Sequence, residues 1–257
     1  MPRVRVAVAL LVAPPLSDEI DGLRRAVGAA IEHVAPHITL VPPVNVRVDD
    51  VRVAQAVLRA AAATVSGPLA LALGPPTTFA PVNPVVYLAV GGRDAGALAP
   101  LRGRLLVAPL DRKIDLPFVP HVTIDDDHVP AQIEATVATL RGYERDASFA
   151  TVTLLQDGAP GPHRWNPIAE ARLQPKVIVG RGGYELEISV TGVADVEVRA
   201  LLGEDGAGSV FAAARHEGAL VAAIAGDASD DGVVVTAEAG EREVVELLVQ
   251  HAAAGCQ

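Results

Sequence analysis

The feature that most limits how this 257-residue chain can fold is a repeat. "PHITL" at 36–40 and "PHVTI" at 120–124 write Pro–His–aliphatic–Thr–aliphatic twice, 84 residues apart. Side chains alternate faces along a strand. In each copy His and Thr therefore share one face, while Ile38 or Val122 points the other way with its apolar neighbours. Two polar pairs on otherwise apolar strands are costly to bury. They are expected to face a solvated site.

The surrounding elements repeat as well. Residues 3–12 read as an apolar strand, and 17–31 as a helix with Ser17 at its start and acids in its first turn. "PHITLV" is a strand, 49–65 a second helix and 69–73 another strand. The order returns as a strand at 85–90, a helix at 94–106, the strand "PHVTI", a helix at 129–142 and a strand at 148–155. Equivalent elements are offset by roughly 77–84 residues, which indicates an internal duplication. Even the helix starts answer each other, Ala54-Gln55 with Ala131-Gln132. The pattern predicts an α+β fold of two lobes, with two pseudo-symmetric sheets and outer helices. Each lobe would bring one His-x-Thr strand to a shared cleft.

Half the residues are hydrophobic and only 3% are aromatic, so the core must be built from Ala, Val and Leu. No apolar run reaches the roughly 18–20 residues that span a bilayer. The basic-then-apolar start fits a buried first strand and lacks a clear signal cleavage site. Cys256 is the single cysteine, which leaves no disulfide or cysteine metal site within the chain. A cytoplasmic monomer away from membranes is expected. The net charge of −10 is unevenly placed. Residues 1–175 carry 16 Lys+Arg against 17 Asp+Glu, and residues 176–257 carry 5 against 14. This break near Pro175 predicts two domains, 1–175 and 176–257. The acidic second part argues against extended duplex nucleic acid, which is bound through a basic footprint. Small nucleotides or RNA ends in a local pocket remain.

Histidine ionises close to neutrality, so a converging pair supplies one neutral base and one charged acid. Across a phosphodiester the base takes a proton from the attacking water or hydroxyl, and the acid gives one to the leaving oxygen. Threonine hydroxyls can hydrogen-bond the non-bridging oxygens as charge grows on them. Metal ligation is the rival use of paired histidines. The one dense candidate is "DDDH" at 125–128, which reads as a solvated turn, and Pro36 breaks the spacing between His33 and His37. Arg112 and Lys113 precede the second motif and are candidate phosphate contacts, with a solvated loop as the competing reading. Trp165, beside His163 in a turn-rich stretch, is a candidate pocket residue or a packing residue at the lobe edge.

On "PHIT", "PHVT", their separation, the duplicated lobes and the closing "ATVTLLQDG…HRWNPIAEARL", residues 3 to about 174 resemble the two-histidine (2H) phosphoesterases. That family includes the bacterial 2'-5' RNA ligase and cyclic phosphodiesterase branch. The resemblance implies that His37 and His121 carry acid–base catalysis, that Thr39 and Thr123 bind phosphate, and that neither metal nor cofactor is needed. It implies a cyclic or 2'-linked phosphodiester of a nucleotide or RNA end as substrate, with reversible 2'-5' ligation open. A non-catalytic module that binds the same ligands is the alternative.

Residues 182–192 and 208–226 read as strands joined by turns, and 231–255 as strand, turn and helix. "VTAEAGEREVVELLV" resembles the GCN5-related N-acetyltransferases, whose glycine-rich helix start holds the pyrophosphate of coenzyme A. Glu241, Glu243 and Val245 stand where that pattern has glycine. The segment therefore reads as a truncated, degenerate remnant, with acetyl-CoA-dependent transfer as the functional alternative.

Overall fold

The computed structural model describes residues 1–126, 130–175, 177–179, 183–203, 206–229 and 232–255. The first part runs β1 (Arg3–Leu11), α1 (Leu16–Ala26), β2 (His37–Arg47), α2 (Val51–Ala62), β3 (Leu69–Thr78), β4 (Val86–Gly91), α3 (Leu98–Leu105), β5 (His121–Asp125), α4 (Pro130–Leu140), β6 (Arg145–Phe149), β7 (Thr151–Asp157) and β8 (Trp165–Arg172). The second part runs β9 (Val177–Val179), β10 (Tyr184–Ser189), α5 (Val196–Leu202), β11 (Val210–His216), β12 (Ala219–Ser229), β13 (Gly232–Gly240) and α6 (Arg242–Gly255). The fold is α+β, with one eight-stranded and one five-stranded sheet.

The large sheet has the order β6-β3-β4-β5-β2-β1-β7-β8, and its pairings are antiparallel. The two His-x-Thr strands, β2 and β5, are its central neighbours. A pseudo-two-fold axis between them exchanges β2 with β5, β1 with β4, β7 with β3 and β8 with β6. The duplication is thus not two self-contained lobes in tandem. β3, the third strand of the first repeat, pairs with β4 of the second, and β7, from the second, pairs with β1 of the first. The stretch expected as one strand at 148–155 is two. β6 ends at Phe149 and β7 begins at Thr151, so only Ala150 links strands near opposite ends of the order. The sheet must curl until those ends approach each other.

The helices cover the apolar face. Leu98, Leu101 and Leu105 bury one stripe of α3, and Ala54, Leu58, Ala61 and Ala62 one stripe of α2. This is the i, i+3, i+4, i+7 pattern of a half-covered helix. They pack with Ile38, Leu40, Val122 and Ile124 in a single core. Burying each Leu, Ile or Val among them contributes about 1.5–3 kcal/mol. Helix α1 starts at Leu16 and ends at Ala26, so Ser17 is buried in the first turn and does not cap it.

The small sheet is an antiparallel meander, β13-β12-β11-β10-β9. Its strands bury both faces, with Val210, Ala212 and Ala214 against α6 and Phe211 and Ala213 against α5. Among the described residues no helix is long and apolar enough to cross a membrane. Cys256, Asp127 and His128 lie outside the described residues.

Candidate active site

β2 and β5 meet at one bridging pair, Ile38 opposite Val122. Both side chains are fully buried on the helix-covered face. Carried one residue either way, this antiparallel register sets His37 opposite Thr123 and Thr39 opposite His121. All four are half-buried, on the face opposite the core. Directly opposed residues lie about 4.5–5.5 Å apart and diagonal ones about 7–8 Å. The histidines hold one diagonal of this square and the threonines the other.

Each imidazole is oriented in the same way. His37 Nδ1 donates to the Ala35 carbonyl at 2.9 Å, and His121 Nδ1 donates to the Val119 carbonyl at 2.7 Å. A carbonyl can only accept, so Nδ1 carries the proton and Nε2 of the neutral ring is the free base. Nε2 of His37 accepts from the Thr39 hydroxyl at 3.1 Å. Burial pushes the His37 pKa down to about 4, opposed by the Ala35 hydrogen bond and helped by the charges of Arg24 and of protonated His121. His37 is therefore neutral at physiological pH.

The rows flanking the square differ in one respect. Along one side Thr39 neighbours Ala9 and then Thr153; along the other Thr123 neighbours Tyr87 and then Thr77. Where the first half has a methyl group, the second has a phenol. Phe79 stacks on Tyr87 at 4.1 Å between centroids, and the two rings lie 5.1 and 5.2 Å from His121. Beside His121 the half-buried Phe79 ring is backed by Tyr87, 7% exposed, whereas the matching place beside Thr39 holds only the buried Ala9 methyl.

Of the other residues singled out in the sequence, none joins this square. Arg112 is exposed and donates to the Pro43 carbonyl at 2.6 Å, well down β2 from His37. Lys113 is exposed and pairs with Asp115 at 3.2 Å. Trp165 opens β8, three strands or about 14 Å from β2 in the sheet, with the Arg5 guanidinium 5.8 Å from its ring. Asp125 is buried and accepts from the Asp126 amide, and His33 is exposed. Among the described residues no three His, Cys, Asp or Glu side chains converge as metal ligands.

Sequence reasoning missed Phe79, Tyr87 and a buried arginine. Arg24, only 4% exposed, sits four residues after Ile20 on the buried stripe of α1. Its Nε and Nη2 donate to the Thr123 carbonyl at 3.1 and 2.9 Å, and its Nη1 to the Val34 carbonyl at 3.0 Å. A guanidinium on an apolar stripe is a legible signal, because charge is rarely buried without partners.

The family model of the 2'-5' RNA ligase superfamily matches residues 12–157. A Bacillus pumilus (strain SAFR-032) protein named "Putative phosphoesterase" is 31% identical over 132 residues, 49% of this chain and 74% of its own. Crystal structures of E. coli LigT in apo form and complexed with 3'-AMP align with TM-scores of 0.47 and 0.46, at 18% and 19% identity. They cover 68% and 67% of this chain and 99% of their own. With more than half its length matched, this chain belongs to the 2'-5' RNA ligase superfamily.

Proposed function

We propose that the protein is a phosphoesterase that opens a cyclic or 2'-linked phosphodiester of a nucleotide or RNA end, by acid–base catalysis between His37 and His121. The observation that carries this reading is the square of two imidazoles and two hydroxyls on one open face. His37, held neutral, takes the proton of the attacking water at Nε2 as the new P–O bond forms. The charged form of His121 donates the Nε2 proton to the ribose oxygen as the old P–O bond breaks. On binding, the Thr39 hydroxyl turns from His37 Nε2 to one non-bridging oxygen, which frees Nε2 for the water, and the Thr123 hydroxyl donates to the other. The half-buried Phe79 ring, backed by Tyr87 beside His121, supports a nucleotide over a simple diester, because every base offers a face for stacking. With the 5'-hydroxyl of an RNA end in place of water, the same forward steps open a 2',3'-cyclic phosphate and make a 2'-5' linkage as the 3' oxygen leaves with the proton from His121.

The test is a turnover screen of 2',3'-cyclic nucleotides, ADP-ribose cyclic phosphates and 2'-5'-linked RNA ends, with EDTA present. On the best substrate His37→Ala and His121→Ala should each cost about 10²–10⁴ in kcat. The double variant should lose little more, since the pair acts as a unit. Binding without turnover would support the non-catalytic alternative, and near-native activity in either variant would remove that histidine from the mechanism.

A further inference from the structure

The two repeats carry a second matched pair of residues beyond the His-x-Thr motifs. Arg24 on α1 and Arg102 on α3 stand 78 residues apart, within the offset of the duplication. Each reaches out of its own repeat. Arg24, in the first repeat, donates twice to the Thr123 carbonyl on β5 of the second. Arg102, in the second repeat, donates through Nε at 3.1 Å to the Leu40 carbonyl on β2 of the first, with its guanidinium 4.5 Å from the Phe118 ring. The acceptors differ by one place in the motif, the Thr itself on β5 and the residue after it on β2. Carbonyls at these places have an unusual need. β2 and β5 bridge only at Ile38 and Val122, so strand pairing there does little to fix the distance between the imidazoles.

We propose that Arg24 and Arg102 are reciprocal positioning residues, each rooted in one repeat and holding the His-x-Thr strand of the other, so that together they set the spacing of His37 and His121. Neither touches the reacting atoms. Arg24, ion-paired with Asp21 at 3.3 Å, also brings a guanidinium close to the site, and its planar fork makes two bonds to the Thr123 carbonyl and one to Val34, a geometry that a lysine ammonium does not match. The assignment rests on the phosphoesterase reading for its catalytic consequence, but not for its structural one.

The experiment uses the full chain and Arg24→Lys, Arg24→Met and Arg102→Met, each checked for a folded spectrum. His37 is titrated by NMR without substrate, and kcat and KM are measured on the best cyclic nucleotide. The groups that face His37 are the Ala35 carbonyl, Thr39, Arg24 and His121. Arg102 is not among the charges that act on it. Arg102→Met should nevertheless raise the His37 midpoint by about half a unit or more, through lost burial and a more distant His121. Arg24→Met should raise it further, and Arg24→Lys should restore only the part due to charge. All three should lower kcat about 10–100-fold with KM changed less than about threefold, as expected when orientation rather than binding is lost. If Arg24→Met does not fold, the half-buried Arg102 and Arg24→Lys still decide. A folded Arg102→Met with an unmoved His37 midpoint would overturn the proposal. Midpoints that move in a protein that turns over no diester would leave the clamps standing and remove the phosphoesterase reading.

Discussion

A histidine held neutral to about pH 4 makes folding sensitive to acid as well as supplying a base. The unfolded chain protonates His37 near its ordinary value of 6.5, while the folded chain resists until about 4. Between those values the unfolded state binds more protons, so stability falls as pH drops through the window and levels off below it. Urea unfolding at pH 7 and pH 5 should show this loss in the natural protein and a smaller one in His37→Gln. Equal losses would mean that the ring is not held neutral. The threonines act on the bound anion instead. Thr39→Ala or Thr123→Ala should each cost about 1.5–3 kcal/mol of transition-state stabilisation, the effect of one hydrogen bond to a charged group. The measurement is kcat/KM against the histidine variants, which should lose more.

At the scale of elements, face alternation made the His-x-Thr stretches of β2 and β5 readable, although β2 runs on to Arg47, past the strand expected at 36–41. His37, Thr39, His121 and Thr123 lie on one face, and Ile38, Leu40, Val122 and Ile124 lie in the core. Repeat spacing located most of the helices and strands before residue 157. What it could not convey is the partner each strand chooses. The apolar pattern of β3 and β7 suits either half, and pairing across the pseudo-two-fold is decided by long-range contacts. The break at Ala150 was equally silent, since Phe149 and Val152 are both buried and the run reads as continuous. β9, with 3 residues, and α5, with 7, are too short to display a period. Arg24 and Arg102 were overlooked because arginine on a helix ordinarily reads as surface. The matched start of α2 and α4 yields a test of its own. Gln55 on α2 is 1% exposed, and neither atom of its amide has a hydrogen-bond partner within the described residues. Gln55→Leu should stabilise the protein by about 1–3 kcal/mol, since an unpaired buried amide is a net cost. A lower urea midpoint in the variant would show that the amide is satisfied in solution.

Over the whole molecule, the small sheet is fastened to the large one by charge. Arg59 on α2 pairs with Asp195 at 2.7 Å and Glu187 at 3.2 Å, both beyond residue 176. Those carboxylates also hold Arg215, 2% exposed, at 2.9 and 3.3 Å, with Glu197 at 2.7 Å. A cluster of this kind gives register more than net stability, because its members are desolvated to form it. One contact reaches the sheet row of the site, the Thr191 hydroxyl on the Glu170 carboxylate. Glu170 neighbours Thr153 in the sheet row that begins at Thr39, three strands away. Burial raises the Glu170 pKa against the pull of its two threonine hydrogen bonds. At the far end of the small sheet, Glu241 and Glu243 flank the start of α6, where their charge opposes a pyrophosphate. We therefore propose a boundary near residue 175, with the acidic part docked on the phosphoesterase part and outside its chemistry. A protein ending near Gln174 should keep kcat/KM within about a hundredfold of the full chain. At low salt the value should match or slightly exceed the full chain's, as repulsion of an anionic substrate is relieved. It should also unfold at lower urea, with Arg59 unpaired and α2 and β8 newly exposed. A larger loss of turnover in a folded protein would mean that the acidic part completes the site, with Thr191 on Glu170 as the point of entry.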